Sequence, residues 1–390
     1  MPSTSPRLGL VAIFASTFFA LVGYFMLVPF LLLRLKSAEV STAVAGLFAA
    51  TAWLGVFLTT PFASAVTRRL ERRPTLWLSA TIPVLGSIGF LLTQNLAIWF
   101  VLMLADGMAS GLRWVLAEAV VAEFSSAHRR GRNVGLFETM VGLTFVVGPA
   151  MLAWVGPDGD TALWIAMGFL VTGLALSALI PPLPAAADGH TARVGAHGVW
   201  HALRAHPVIM LAGFVGGFFE SGITSILPLY GLALGLGAAT AALLVSASGL
   251  GSAMMMLPVG MLADRWADPA HGRRQMMVVL AAVNLAATGL LPLVAHIGAL
   301  AWPLAFLWGG AGGSLYTLAM IDIGAREQGI TLINSTSVLV MSYTLGSVAA
   351  SASSGALLQW APTVGFPLLL GTVALAGMLA LIQTRHRAEI

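Results

Sequence analysis

Gly260-Met261-Leu262-Ala263-Asp264-Arg265, followed after a short insert by Gly272-Arg273-Arg274, is a charged turn set between two long apolar runs. A weaker copy lies 197 residues upstream as Ala63, Thr67, Arg68, Arg72 and Arg73. The later copy keeps an acid, Asp264, where the earlier one has Thr67. A charged turn that recurs once in each half of a 390-residue chain marks a duplicated architecture.

Composition says where such a chain resides. It is 58% hydrophobic and 9% charged, with a mean hydropathy of +0.92. Soluble domains carry roughly 25% charged residues, so this chain lacks the polar residues to coat a water-soluble particle of its size. It reads as an all-α integral membrane protein with room for about twelve helices of about 25 residues. A net charge of +4 would suggest nucleic acid in a soluble protein, but here the placement of the basic residues explains it better. Cysteine is absent, which removes disulfides and thiol chemistry. The apolar run after Arg7 extends to Leu33, too long for a signal-peptide core, and reads as the first transmembrane helix.

Apolar runs fall near 8–33, 42–67, 74–95, 97–124, 132–155, 161–181, 207–233, 239–263, 274–295, 299–323, 329–360 and 363–384. The longest polar stretch, 182–206, reads as a cytoplasmic linker between an N-terminal six-helix half, 1–181, and a C-terminal half, 207–390. Of the 19 Lys and Arg, sixteen fall at the ends of the chain or in even-numbered turns. Only Arg34 and Lys36 fall in the opposite turns, and Arg113 lies inside a span. The positive-inside rule then places both termini in the cytoplasm. The halves also repeat. Phe18-Phe19 with Pro29 in the first run matches Phe218-Phe219 with Pro228 in the seventh, and Gly148 matches Gly346 at an offset of 198. A repeat of this kind puts the substrate site at the interface of the halves, near the bilayer midplane.

The 260–274 motif resembles the signature G-x-L-A-D-R-x-G-R-R of the major facilitator superfamily, and the resemblance covers the whole chain. It implies twelve transmembrane helices as two pseudo-symmetric halves. Gly142 and Gly148-Pro149 resemble part of the antiporter signature of the fifth helix, although Met151-Leu152 stands where that signature has small residues. In the fourth run, Gly107, Gly111-Leu112, Trp114 and Glu118 resemble the YcaD-like, drug:proton antiporter branch. The chain departs from that pattern at Met103, where the branch has Arg, and at Asp106 and Arg113. The resemblance implies that Gly260, Asp264, Arg265, Arg273, Arg274, Arg68 and Glu138 form a cytoplasmic gate. Asp264 is expected to carry most of the latch, because its counterpart is Thr67.

An ionisable residue inside a span costs roughly 2.5–3.5 kcal/mol on insertion scales, so it faces a cavity or a partner. Glu118, Asp106, Arg113 and Glu220 are the proton-coupling candidates. Asp106 and Arg113 share a helix face about 10 Å apart along the axis. Arg113 is expected to pair with Asp106 or with an acid of another helix, or to bind an anionic group of the substrate. Each of these charges has a structural alternative, an intramembrane ion pair or hydrogen bonds to neighbouring helices. Glu123 and Asp322, near helix ends, read as solvated or paired with a nearby Arg.

Tyr24, Trp53, Trp114, Glu220, Thr224, Tyr316, Asn334 and Tyr343 are candidates to line a substrate cavity, with interhelical packing as the alternative for each. Trp99, Trp164, Trp302 and Trp360 read as anchors at the membrane interface. The histidines lack metal-ligand spacing, no nucleotide-binding loop is present, and no catalytic set is found, so the chain does not read as an enzyme.

The expected function is secondary active transport of a small molecule by alternating access, first as proton-coupled efflux of amphipathic compounds. The alternative is uptake of a small anionic metabolite with Arg113 as its ligand; a receptor or scaffold without turnover is a third reading. In the expected cycle Glu118 or Asp106 takes a proton from outside. The expected setting is the cytoplasmic (inner) membrane, multi-pass. The partners are membrane lipid, a small-molecule substrate and protons, with no nucleic acid, no metal and no cofactor beyond the proton gradient. The working unit is expected to be a monomer.

Overall fold

In a computed structural model of the chain, residues 6–124, 130–181, 207–263, 269–326 and 329–388 are described. The 182–206 linker, Asp264 and Arg265 lie outside them. Every regular element among the described residues is helical. In order these are α1 (Pro6–Ser37), α2 (Thr42–Thr59), α3 (Ala63–Leu70), α4 (Arg72–Leu92), α5 (Leu96–Phe124), α6 (Arg130–Val155) and α7 (Thr161–Ser177). Then come α8 (Pro207–Gly217), a five-residue wide turn Phe218–Gly222, α9 (Ile223–Ala233), α10 (Ala238–Ala263), α11 (Pro269–Gly289), α12 (Ala301–Arg326), α13 (Gly329–Trp360) and α14 (Gly365–Ala388).

Nine helices among the described residues are long and apolar enough to cross a membrane, and two shorter apolar helices span Thr139–Val155 and Thr161–Ser177. A helix satisfies its own backbone, which a bilayer core demands of any spanning segment. Large apolar side chains such as Leu92, Val101 and Leu368 point outward, as a lipid-facing surface requires.

The chain divides into two compact units. One comprises Met1–Leu31 and Thr51–Thr191, the other Leu32–Ala50 and Ala192–Ile390. The hairpin Leu32–Ala50, which the sequence reading assigns to the first half, groups with the second unit because it packs on α13. A Cβ on Gly46 would sit 2.6 Å from Gly355 Cα, and the Ala43 N–H donates to Gln359 Oε1 at 2.9 Å.

Glycines set the closest helix pairs, and they do so alike in both units. In unit 1, Gly107 of α5 presses on the Ala52 backbone of α2, and a Cβ on Gly148 of α6 would lie 2.8 Å from the Phe25 carbonyl carbon of α1. In unit 2, Gly251 of α10 presses on the Phe306 backbone of α12, and Gly346 of α13 presses on the Phe214 carbonyl of α8. The Gly148/Gly346 repeat seen in the sequence thus marks equivalent crossings. In lipid, where tails compete equally for apolar side chains, close backbone approach is a main source of helix association.

A methyl group at such a seam has no free volume. Gly107→Ala is expected to destabilise the protein by about 1–3 kcal/mol. Gly168→Ala, where a Cβ meets nothing within 4 Å, should be neutral or gain up to about 1 kcal/mol from helix propensity. Thermal unfolding of the two purified variants in detergent checks the contrast, and equal effects would contradict the seam.

Candidate functional site

The segment Gly216-Gly217-Phe218-Phe219-Glu220-Ser221-Gly222 breaks the α-helical spacing between α8 and α9. It forms one π-type turn, with the Ile223 N–H reaching back to the Phe218 carbonyl. Glycines at both ends lower the local helix propensity, and single π turns recur at functional sites. α13 lies directly on this turn. Its Ser347 hydroxyl donates to the Gly217 carbonyl at 3.0 Å, and its Ser351 hydroxyl donates to the Gly222 carbonyl at 3.2 Å. The two ends of the wide turn are therefore held by hydroxyls of a neighbouring helix.

Glu220 points from the middle of the turn into unit 2 and is buried. Its Oε1 accepts a hydrogen bond from the Ser252 hydroxyl of α10. Its Oε2 accepts one from the Tyr343 hydroxyl of α13 at 2.8 Å. Tyr343 has one proton to give, so Ser221, whose hydroxyl also bonds the Tyr343 oxygen, must donate to it. The order Ser221 to Tyr343 to Glu220 is a continuous hydroxyl chain ending on a carboxylate. Tyr316 of α12 meets Tyr343 edge-on with ring centroids 4.9 Å apart. Thr224 bonds Ser248 at 2.6 Å. α12 can come this close because it presents Gly312 and Gly313: a Cβ on Gly313 would fall 2.6 Å from Glu220 Oε1. No cation pairs with Glu220 among the described residues.

The structure thus brings together four sequence-read candidates, Glu220, Thr224, Tyr316 and Tyr343. It adds Ser248 and Ser252, which the sequence reading did not single out. Their spacing of four on one apolar helix places both on one face, the only signal that pointed to them. Other hydroxyls of α13 bind backbone: Ser342 donates to the Met210 carbonyl at 2.6 Å, and Ser347 and Ser351 donate to the carbonyls of Gly217 and Gly222.

In unit 1, Arg113 of α5 is buried and reaches α1 and α7. It donates to Ser16 at 3.0 Å, Thr17 at 3.4 Å and Ser177 at 3.4 Å. The expected pairing with Asp106 does not form. Both Asp106 oxygens are buried without a hydrogen-bond partner among the described residues and lie against α4, where a Cβ on Gly86 would be 2.7 Å from Oδ1. Seven residues of separation left the two side chains to turn toward different helices.

Tyr24 meets Phe25 edge-on, centroids 5.5 Å apart. Tyr24, Trp53 and Trp114 are all half-buried. Glu118, Glu138, Arg68 and Asn334 lie on helices, but their side chains are outside the described ones. One interface reading is corrected. Trp99 is 3% exposed, with its indole N–H donating to the Thr93 carbonyl at 2.7 Å, so it closes a turn; Trp164 and Trp360 are exposed. Asp322, expected to be solvated or in a salt bridge with Arg326, does pair with an arginine, but it is buried and the partner is Arg273 of α11, whose Nε donates at 3.1 Å.

Arg273 of that pair belongs to the charged turn at 260–274. Arg273 of α11 meets Asp322 of α12, while Gly260 of α10 faces Ile321, with a Cβ there 3.3 Å from Cδ1; Arg274 is half-buried. The earlier copy works differently. Arg73 of α4 donates to the Ala178 carbonyl just beyond α7 at 2.9 Å and lies over the Trp77 ring. One copy binds an acid, the other a helix C-terminus, which favours a cation. No group of three His, Asp or Glu suited to a metal occurs among the described residues.

Asp322→Ala leaves a buried guanidinium without its carboxylate and is expected to cost about 3 kcal/mol. The double change Arg273→Met with Asp322→Leu should recover most of that loss, since a packed apolar pair avoids desolvation. Thermal unfolding in detergent reads both, and a single variant as stable as the parent would contradict the pairing.

Comparison with known proteins supplies the family. The profile of the Major Facilitator Superfamily matches residues 13–336. An uncharacterized MFS-type transporter, YfkF of Bacillus subtilis (strain 168), is 28% identical over 308 residues, covering 76% of this chain and 74% of its own. An uncharacterized MFS-type transporter of Yersinia pestis (strain Pestoides F) is 26% identical over 366 residues, covering 91% and 90%. The fold is similar to that of the xylose transporter XylE from E. coli in a partially occluded inward-open conformation, with a TM-score of 0.76 at 13% identity over 98% of each chain. With a helical membrane architecture, a repeat of helix pairings and a family match over most of its length, the chain belongs to the Major Facilitator Superfamily and is a transporter rather than an enzyme.

Proposed function

We propose that the protein is a secondary active transporter that exports amphipathic compounds by alternating access, driven by protons, with Glu220 as the proton-carrying group. The observation that carries this reading is the hydroxyl chain on Glu220. Ionised, the carboxylate is held by Ser252 and Tyr343. Protonated on Oε2, it can donate to Tyr343, which then donates to Ser221, and the same chain runs in reverse. Both states keep every oxygen partnered without moving a helix, which suits a group that must load and release a proton repeatedly. A buried pair locked to a cation would lack that freedom.

The surroundings support an amphipathic cargo. Phe218, Phe219, Tyr316 and Tyr343 make the surroundings of Glu220 aromatic and apolar, with a few hydroxyls among them, the composition of a site for an amphipathic molecule. The wide turn at Phe218–Gly222 interrupts the α8–α9 helix beside Glu220, as single π turns do at functional sites. In the proposed cycle a proton arriving from outside neutralises Glu220, cargo leaves, and release of the proton to the cytoplasm readies the carboxylate for the next molecule. The full topology belongs to the same proposal: twelve crossings, both ends cytoplasmic, a cytoplasmic latch at Asp264 and Arg265, and an inner-membrane monomer.

In proteoliposomes, an imposed pH gradient should drive accumulation of an amphipathic dye. Glu220→Gln should reduce that accumulation to the level of protein-free vesicles while leaving substrate counterflow, which needs no proton movement, in place. Gradient-driven transport by the Gln variant at the parent's rate would sink the proposal. Movement of an anionic metabolite inward under the same gradient would favour uptake instead.

A further inference from the structure

Unit 1 holds a charge that the Glu220 chain does not use. The Arg113 guanidinium is 5% exposed, and a guanidinium keeps its proton in proteins. Its partners are three hydroxyls, and their own protons are turned elsewhere where their donors are recorded. Ser16 donates to the Ile13 carbonyl at 3.2 Å, and Ser177 donates to the Gly173 carbonyl at 2.8 Å. Each therefore offers Arg113 a lone pair and no negative charge. Two of the three contacts are long, at 3.4 Å, and Nε–H has no partner among the described residues. Asp106 faces Gly86 instead. Glu118, five residues on, is about 140° round the helix. Buried charges are ordinarily paired, and this one meets acceptors without an anion among the described residues.

We infer that Arg113, with Ser16, Thr17 and Ser177, forms a binding site for a small monovalent anion, either a halide or a carboxylate group. The site is narrow. α1 and α7 touch backbone to backbone one turn away, where a Cβ on Gly173 would be 2.9 Å from the Ser16 carbonyl oxygen. One positive charge and this confined setting match a monovalent ion or a single carboxylate better than a phosphate or sulfate. The acceptor hydroxyls hold the guanidinium in place, leaving Nε–H as the donor that meets the anion. The site lies in the other unit from Glu220 and does not depend on proton coupling.

The test uses the full-length protein in detergent, with bulky HEPES as the starting anion and ionic strength held constant. Chloride, bromide and formate are titrated in turn, and the unfolding temperature is read by tryptophan fluorescence. The expected result is a saturable rise with at least one probe. Halides alone identify a halide site, formate alone identifies a carboxylate site, and a response to both identifies a site open to either. Arg113→Gln should abolish the saturable rise. Should that variant not fold, Arg113→Lys decides, raising the half-saturating concentration about tenfold because an ammonium lacks the planar donor set. Glu220→Gln should keep the response unchanged. The inference is overturned by a parent protein with no saturable response to any probe. It is overturned equally by an unchanged response in Arg113→Gln, an unchanged half-saturation in Arg113→Lys, or a response lost in Glu220→Gln.

Discussion

Glu220 must live inside an apolar helix bundle with no cation beside it among the described residues. Hydroxyls from two neighbouring helices carry that load, at roughly 1.5–3 kcal/mol for each hydrogen bond to a charged group. Much of unit 2 is arranged to bring them there. α12 presents Gly312 and Gly313 so that it can approach the carboxyl. α13 supplies Tyr343, then Ser347 and Ser351 for the carbonyls of the wide turn. α10 supplies Ser252. The wide turn itself sets the direction in which Glu220 leaves the helix.

Unit 1 meets the same constraint with the opposite sign. Arg113 is held by three hydroxyls, two of them with their protons committed to helix carbonyls. Uncharged acceptors and donors have a use in a protein that must change state. They stabilise a charge without locking it to a fixed counter-charge, whereas separating a buried ion pair costs several kcal/mol. The Arg273–Asp322 pair shows the contrasting case, a charged turn tied down by a direct bond between α11 and α12.

Much of the fold was legible in the sequence. Apolar runs announce membrane helices because a bilayer leaves few other solutions, and Gly148 and Gly346 announced equivalent crossings because only glycine permits them. The charged residues of the site were also visible, since an acid such as Glu220 stands out in an apolar run. Their partners were not. Ser252 and Ser248 look like any small residues of a membrane helix, and their pairing depends on which helices meet. The wide turn at Phe218–Gly222 follows no period that a sequence displays. Depth was misjudged at Trp99 and Asp322 because position along a run does not say which way a side chain faces. Asp106 and Arg113 share a helix face, yet each found a different neighbour.

The central claim is that the Glu220 carboxyl exchanges its proton within the hydroxyl chain. Infrared difference spectroscopy of the protein in lipid, across the physiological pH range, tests it most directly. The account predicts a carboxyl C=O band that appears and vanishes reversibly with pH, is missing in Glu220→Gln, and moves to higher wavenumber in Tyr343→Phe, where a hydrogen bond is lost. A Glu220→Gln spectrum that retains the whole titrating signal would contradict it, as would a Glu220 band that never changes with pH.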